Sequence, residues 1–108
     1  MATTYKVLGQ SKPSSTSATL YTVPAATQTV VSTINACNTG ASSGTIDIAV
    51  RIAGATLDDS QYIVKGLSLA GNATFTYTAG VTLGATDVIT VVSSTNNIAF
   101  SAFGSEVA

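Results

Sequence analysis

The clearest pattern in the chain lies between positions 45 and 52, where Ile46, Ile48, Val50 and Ile52 alternate with Thr45, Asp47, Ala49 and Arg51. β-Branched residues at a period of two place one face of a strand against a core. The other face carries Asp47 and Arg51, about 13 Å apart at the rise of an extended chain, so each is expected to meet a neighbouring strand. The same reading extends along the chain. Tyr5-Lys6-Val7-Leu8 alternates briefly, and Ala18 to Val23 reads as a strand stopped by Pro24, which lacks the N–H a ladder needs. Gln28 to Asn38 is apolar or small on both faces, as a central strand is. Asn38 to Gly44 is dense in turn formers and reads as a loop.

Beyond that loop, Leu57-Asp58-Asp59-Ser60 reads as a turn and Gln61 to Lys65 as a short strand. Gly71-Asn72 marks a hairpin-type turn, after which Ala73, Phe75 and Tyr77 alternate with threonines. Val88 to Val92 is nearly all apolar, the mark of an interior strand. Asn96-Asn97 turns the chain into a last strand, Ile98 to Phe103, and Gly104 to Ala108 reads as a tail. No segment has helical periodicity. The pattern predicts an all-β chain: a single antiparallel β-sandwich of eight or nine short strands, jelly-roll-like. Residues 1–16 are expected to form an extended arm or edge strand, and residues 17–108 the sandwich domain.

Composition changes this picture by removing chemistry from it. The 108 residues include no histidine, no tryptophan, one cysteine and nine charged side chains, while Thr and Ser occupy 31 positions. Acid–base and nucleophilic catalysis need groups that titrate near the working pH, or a nucleophile with its base, and these are nearly all missing. The chain is therefore read as non-enzymatic, without cofactor or metal. The four cations, Lys6, Lys12, Arg51 and Lys65, are scattered and the formal charge is −1, so no basic patch faces nucleic acid. No apolar run approaches a membrane span. Met1 to Lys6 has no apolar core of a signal peptide, so synthesis in a cytoplasm is expected. A net charge near zero, with a surface of small polar side chains, favours packing against neighbours and a homo-oligomer.

The few candidate sites each have a plainer reading. Cys37 sits in an alternating strand and reads as a packing residue, since no histidine is present to activate it. Asp58-Asp59 with Ser60 offers hard oxygens to calcium, but lacks the spaced ligands of a calcium loop and reads as a turn cap. Tyr5, Tyr21, Tyr62 and Tyr77 offer rings for stacking on sugars, against the commoner use of tyrosine at the rim of a core. Asn72-Ala73-Thr74 matches the glycosylation pattern by chance in a chain without an export signal.

The order of segments carries a resemblance. Tyr5-Lys6-Val7-Leu8-Gly9-Gln10 leads to Leu20-Tyr21-Thr22-Val23-Pro24-Ala25, then to a valine-rich strand, a Cys37-Asn38 turn and Ile48-Ala49-Val50-Arg51. Gly80-Val81-Thr82-Leu83 and Ser101-Ala102-Phe103-Gly104-Ser105-Glu106 follow. This series resembles small virion structural proteins of tailed bacteriophages, particularly phages of aquatic bacteria such as cyanophages. The resemblance spans most of the chain, is most specific at Leu20 to Ala25, and transfers no catalytic residue. It implies a subunit made in the host cytoplasm and located in the virion, such as a capsid decoration or accessory protein. A tail, neck, baseplate or fibre position is the alternative, and a host-glycan-binding module is the alternative of another class. The partners implied are major capsid or tail proteins and further copies of the chain. Contacts are expected from Tyr5, Lys6, Val7, Leu8 and Lys12 of the arm and from Phe103 and Glu106. An extended arm can add a strand to a neighbour's open edge, so removal of residues 1–12 is expected to leave a folded domain that no longer assembles.

Overall fold

A computed structural model describes residues 2–78 and 80–108 of the chain. The described residues form strands β1 (Thr3–Ser11), β2 (Ser17–Thr22), β3 (Gln28–Asn38), β4 (Gly44–Arg51), β5 (Tyr62–Leu69), β6 (Thr74–Tyr77), β7 (Val81–Leu83), β8 (Val88–Ser93) and β9 (Ile98–Val107). Two single-turn 3-10 segments, Ile52–Gly54 and Asp59–Gln61, lie between β4 and β5. The first sheet runs β1-β9-β3-β6, with β7 paired to the other half of β3; the second runs β2-β8-β4-β5. Every pairing is antiparallel. The chain is all-β and consists of two antiparallel sheets.

The inward residues of the two sheets share one core. Leu8, Val31, Ile34, Ala36, Leu83, Phe100 and Ala102 come from the first sheet, and Leu20, Ile46, Ile48, Leu69, Ile89 and Val91 from the second. The alternation of β4 turns Ile46 and Ile48 inward and leaves Asp47 and Arg51 outward, each engaged by a neighbour strand. Asp47 accepts from Lys65 Nζ of β5 at 3.3 Å and from the Gly66 N–H at 2.6 Å. Arg51 reaches Thr90 Oγ1 of β8 at 3.4 Å and donates to the carbonyls of Gly54 and Ala55. It thereby ties down a turn in which Ala53 and Gly54 both have positive φ.

The structure departs from the sequence pattern at the C-terminus and, of the two expectations for the N-terminus, shows the edge strand rather than the free arm. The expected tail is the second half of β9, which runs on to Val107 because it is paired on both sides, with β1 and with β3. At the other end, residues 3–11 are not free: they pair with β9 from Thr3↔Val107 to Ser11↔Phe100. A bulge at Leu8 turns that side chain into the core, and Gly9 then presses on the Leu20 carbonyl of β2, leaving no room for a Cβ. The opposite end of the molecule is held by Asn38, which is fully buried. Its Nδ2 donates to the carbonyls of Ser42 (2.9 Å) and Leu69 (3.2 Å), and its Oδ1 accepts from the Gly40 N–H (3.0 Å).

Candidate functional site

Strand register brings residues far apart in sequence onto one outward face of the first sheet. In one row Tyr5 of β1, Ser105 of β9, Val30 of β3 and Thr82 of β7 lie side by side. In the next are Val7, Phe103 and Thr33, and beyond the first row lie Thr3, Val107 and Gln28. Further along β3 and β9 come Asn35 beside Ser101 and Cys37 beside Ala99, with Thr76 and Thr74 of β6 at the margin. No described strand residue of this face carries a charge; Lys12, one residue past β1, lines a shallow groove with Gln10, Ala99 and Ser101 at its far end.

Tyr5, Val7 and Val30 are 83%, 49% and 42% exposed, while Phe103 and Val107 are half-buried between them. The result is a continuous apolar area on a strand surface otherwise made of Thr, Ser, Asn and Gln. Further along the face the Asn35 Oδ1 is enclosed yet has no hydrogen-bond partner among the described residues.

The charged side chains lie elsewhere. Asp47, Arg51 and Lys65 are on the outer face of the second sheet. Asp87 accepts from the N–H groups of Ala53 and Gly84, and so ties together two loops. Asp58 caps the Asp59–Gln61 turn, accepting from the Ser60 hydroxyl (2.7 Å) and N–H (3.2 Å), which lower its pKa in that order. Among the described residues no three of Asp, Glu, Cys or His stand together as a metal cage would require.

Lys6 and Glu106 are on the inner side of the first sheet, at its margin. The Tyr21 hydroxyl of β2 donates to Glu106 Oε2 at 2.5 Å and lies 2.8 Å from Thr29 Oγ1, while Lys6 Nζ lies 3.5 Å from Glu106 Oε1. Tyr21 has one proton and gives it to Glu106, so Thr29 is the donor in its bond with Tyr21. Burial, and then the Glu106 carboxylate, push the Tyr21 hydroxyl up to about 12. The cluster joins β2 of one sheet to β1, β3 and β9 of the other. Its geometry serves as a clamp between sheets.

The residues expected at partner contacts therefore divide. Tyr5, Val7 and Phe103 share the uncharged face. Leu8 is a core residue, 9% exposed, because the bulge reverses its direction. Lys6 and Glu106 are turned inward by the strand alternation and engage each other. Lys12 is exposed just beyond the end of β1, away from the apolar area. The four tyrosines are not brought together. Tyr5 is outward on β1, Tyr21 is buried, Tyr62 lies under Lys65 Nζ at 4.7 Å, and Tyr77 packs beside Phe75 against the core. Comparison with protein-family models, curated proteins and solved structures returned no match to this chain. Val30, Val107 and Thr33 were missed by the sequence reading. Their only signal was an apolar or β-branched residue on the nominally outward side of a central strand, which any buried strand also has.

Proposed function

We propose that the chain is a structural subunit of a bacteriophage particle, an accessory or decoration protein that packs against neighbouring virion proteins and has no catalytic role. The observation that carries the packing role is the outer face of the first sheet. Tyr5, Val7 and Val30 stand open to water together on strands without a charged outward side chain, and an exposed apolar patch of this kind marks an interaction surface. Four strands spaced about 4.8 Å apart and ten residues long give it about 600 Å² of flat area. Two such surfaces together clear the roughly 1,000 Å² of a specific interface, while each alone is small enough to stay soluble.

The strand order supports a jelly-roll reading of the two sheets. With β6 and β7 taken as one interrupted strand and the strands renumbered 1 to 8, the sheets run 1-8-3-6 facing 2-7-4-5, successive strands changing sheet except for the 4-5 hairpin, as two interleaved Greek keys do. The particle assignment rests on the resemblance of the segments from Tyr5 to Glu106 to small virion proteins of tailed phages. The test is quantitative mass spectrometry of purified particles from cells that produce the chain. A fixed, multiple copy number relative to the major shell protein is expected, and absence from washed particles overturns the reading.

A further inference from the structure

One edge of the first sheet specifies its occupant more closely than the face does. The Ala2 N–H donates to the Ala108 carbonyl at 2.9 Å, and the Ala108 N–H donates to the Ala2 carbonyl at 3.0 Å. These residues form a hydrogen-bonded pair, and the ladder continues in the same register to Val7↔Phe103. Such pairs alternate along antiparallel strands. Thr4 and Lys6 therefore spend their backbone groups on β9, and the N–H and C=O groups of Thr3, Tyr5 and Val7 turn away from it. β1 ends the sheet, so among the described residues no strand meets these six groups, and Thr3 to Val7 are all exposed.

We infer that two copies of the chain join edge to edge through β1, antiparallel about a two-fold axis at Tyr5, so that their first sheets run on as one. This deepens the packing-subunit reading and rests on it. The edge is its own complement. Laid antiparallel on a second copy, Tyr5 meets Tyr5 and Thr3 meets Val7 at both ends. Each is a hydrogen-bonding pair, and all six outward groups per strand are satisfied. Lys6 then stands opposite Thr4 rather than opposite its symmetry mate, and it is already engaged with Glu106 on the inner side. On the outer side the axis brings two Tyr5 rings together and fuses the two apolar areas.

Natural sheets guard their edges with charge, proline or bulges. The β5 edge has Lys65 and two register shifts against β4, while β6 and β7 are four and three residues long. Thr3 to Val7 has no proline and no outward charge, and the bulge at Leu8 falls past its end. A net charge of −1 opposes self-association weakly.

The experiment uses the full chain. Size-exclusion chromatography with light scattering is expected to show a dimer at concentrations up to about 100 µM, which dilution dissociates. Tyr5→Pro removes an outward N–H and spares the ladder to β9, whereas Tyr5→Thr keeps that N–H. Tyr5→Pro is expected to weaken the dimer at least about tenfold more than Tyr5→Thr does. Register is read by oxidation in a Cys37→Ser background, a readout that does not depend on the proline variant folding. Tyr5→Cys is expected to cross-link to itself, since Cα atoms of such a pair lie about 5.5 Å apart. Thr3→Cys and Val7→Cys are each expected to remain uncross-linked alone but to link when mixed. A monomer throughout this range, a dimer that Tyr5→Pro leaves intact, or self-linking at position 3 or 7 overturns the inference. Particle incorporation is read separately. A chain that enters particles without dimerising in solution sinks only this inference, and one that dimerises but is absent from particles sinks only the virion reading.

Discussion

Tyr21 shows how one side chain can couple the two sheets to pH. Its hydroxyl stays protonated because burial and Glu106 both disfavour the phenolate, and its pKa stands near 12 against 10.0 for the unperturbed group. A folded-state pKa above the unfolded one contributes stability that is fully present below the unfolded pKa and is lost as pH rises through the folded one. The chain is therefore expected to lose on the order of 1–2 kcal/mol between pH 10 and 12 from this residue. Urea unfolding of wild type and Tyr21→Phe at pH 9 and pH 11.5 isolates the term. The variant starts lower, having lost its bond to Glu106, and the gap narrows at the higher pH; a gap that widens contradicts the clamp. Asn38 is the second residue of this kind. Asn38→Ala leaves the carbonyls of Ser42 and Leu69 and the Gly40 N–H without their partner, and is expected to cost about 2–3 kcal/mol in the same assay. A loss under about 0.5 kcal/mol, the range of ordinary surface substitutions, contradicts its role in holding the loops.

At the scale of the element, β1 and β4 mark the limits of what the sequence makes legible. β4 has three β-branched residues at period two, Ile46, Ile48 and Val50, so its strand, inward face and the outward use of Asp47 and Arg51 follow from local pattern, whereas Ile52, next in the series, falls in the 3-10 turn and is exposed because the chain leaves the sheet there. β1 alternates over only a few residues, and its length comes from β9, some hundred positions away. The second half of β9 is likewise a strand by pairing rather than by propensity, since Gly104-Ser105-Glu106 has no β-forming bias of its own. The bulge at Leu8 cannot be read locally, and it decides which of the N-terminal residues face outward. The candidate site was hidden for the same reason. Tyr5, Val30 and Phe103 become neighbours only through register. Removal of residues 1–12 is accordingly expected to disrupt the domain, against the expectation of a detachable arm. It deletes core residue Leu8, worth about 2–3 kcal/mol by itself, and strips one side of β9. Thermal unfolding followed by circular dichroism checks this. A cooperative transition within about 5 °C of the full chain, less than a loss of that size moves a small domain, restores the arm.

For the whole molecule, the distribution of its few charges matters more than their number. The outer face of the second sheet carries Asp47, Arg51 and Lys65, the loops carry Asp58, Asp59 and Asp87, and the strands of the first sheet present an outer face with none, Lys12 standing just past its end. A face without charge can be covered with little desolvation penalty, since only small hydroxyls, amides and apolar groups leave water. A charge placed there meets the reverse condition: it is harmless while the face is wet and costly once the face is covered. Val30→Lys with Phe103→Lys adds two ammonium groups in adjacent rows of the apolar area. Because Val30 is exposed and Phe103 only half-buried, folding stability is expected to fall by about 1 kcal/mol. Incorporation into particles is expected to fall at least about tenfold, the effect of leaving a single charge unpaired in a packed interface. Thr19→Lys, on an exposed position of β2 in the second sheet, adds a like charge outside the face and is expected to leave incorporation unchanged. Quantifying each variant in purified particles against the major shell protein reads the difference. Equal losses from both variants point to a net-charge effect, and full occupancy of the double variant shows that this face stays open to solvent in the assembled particle.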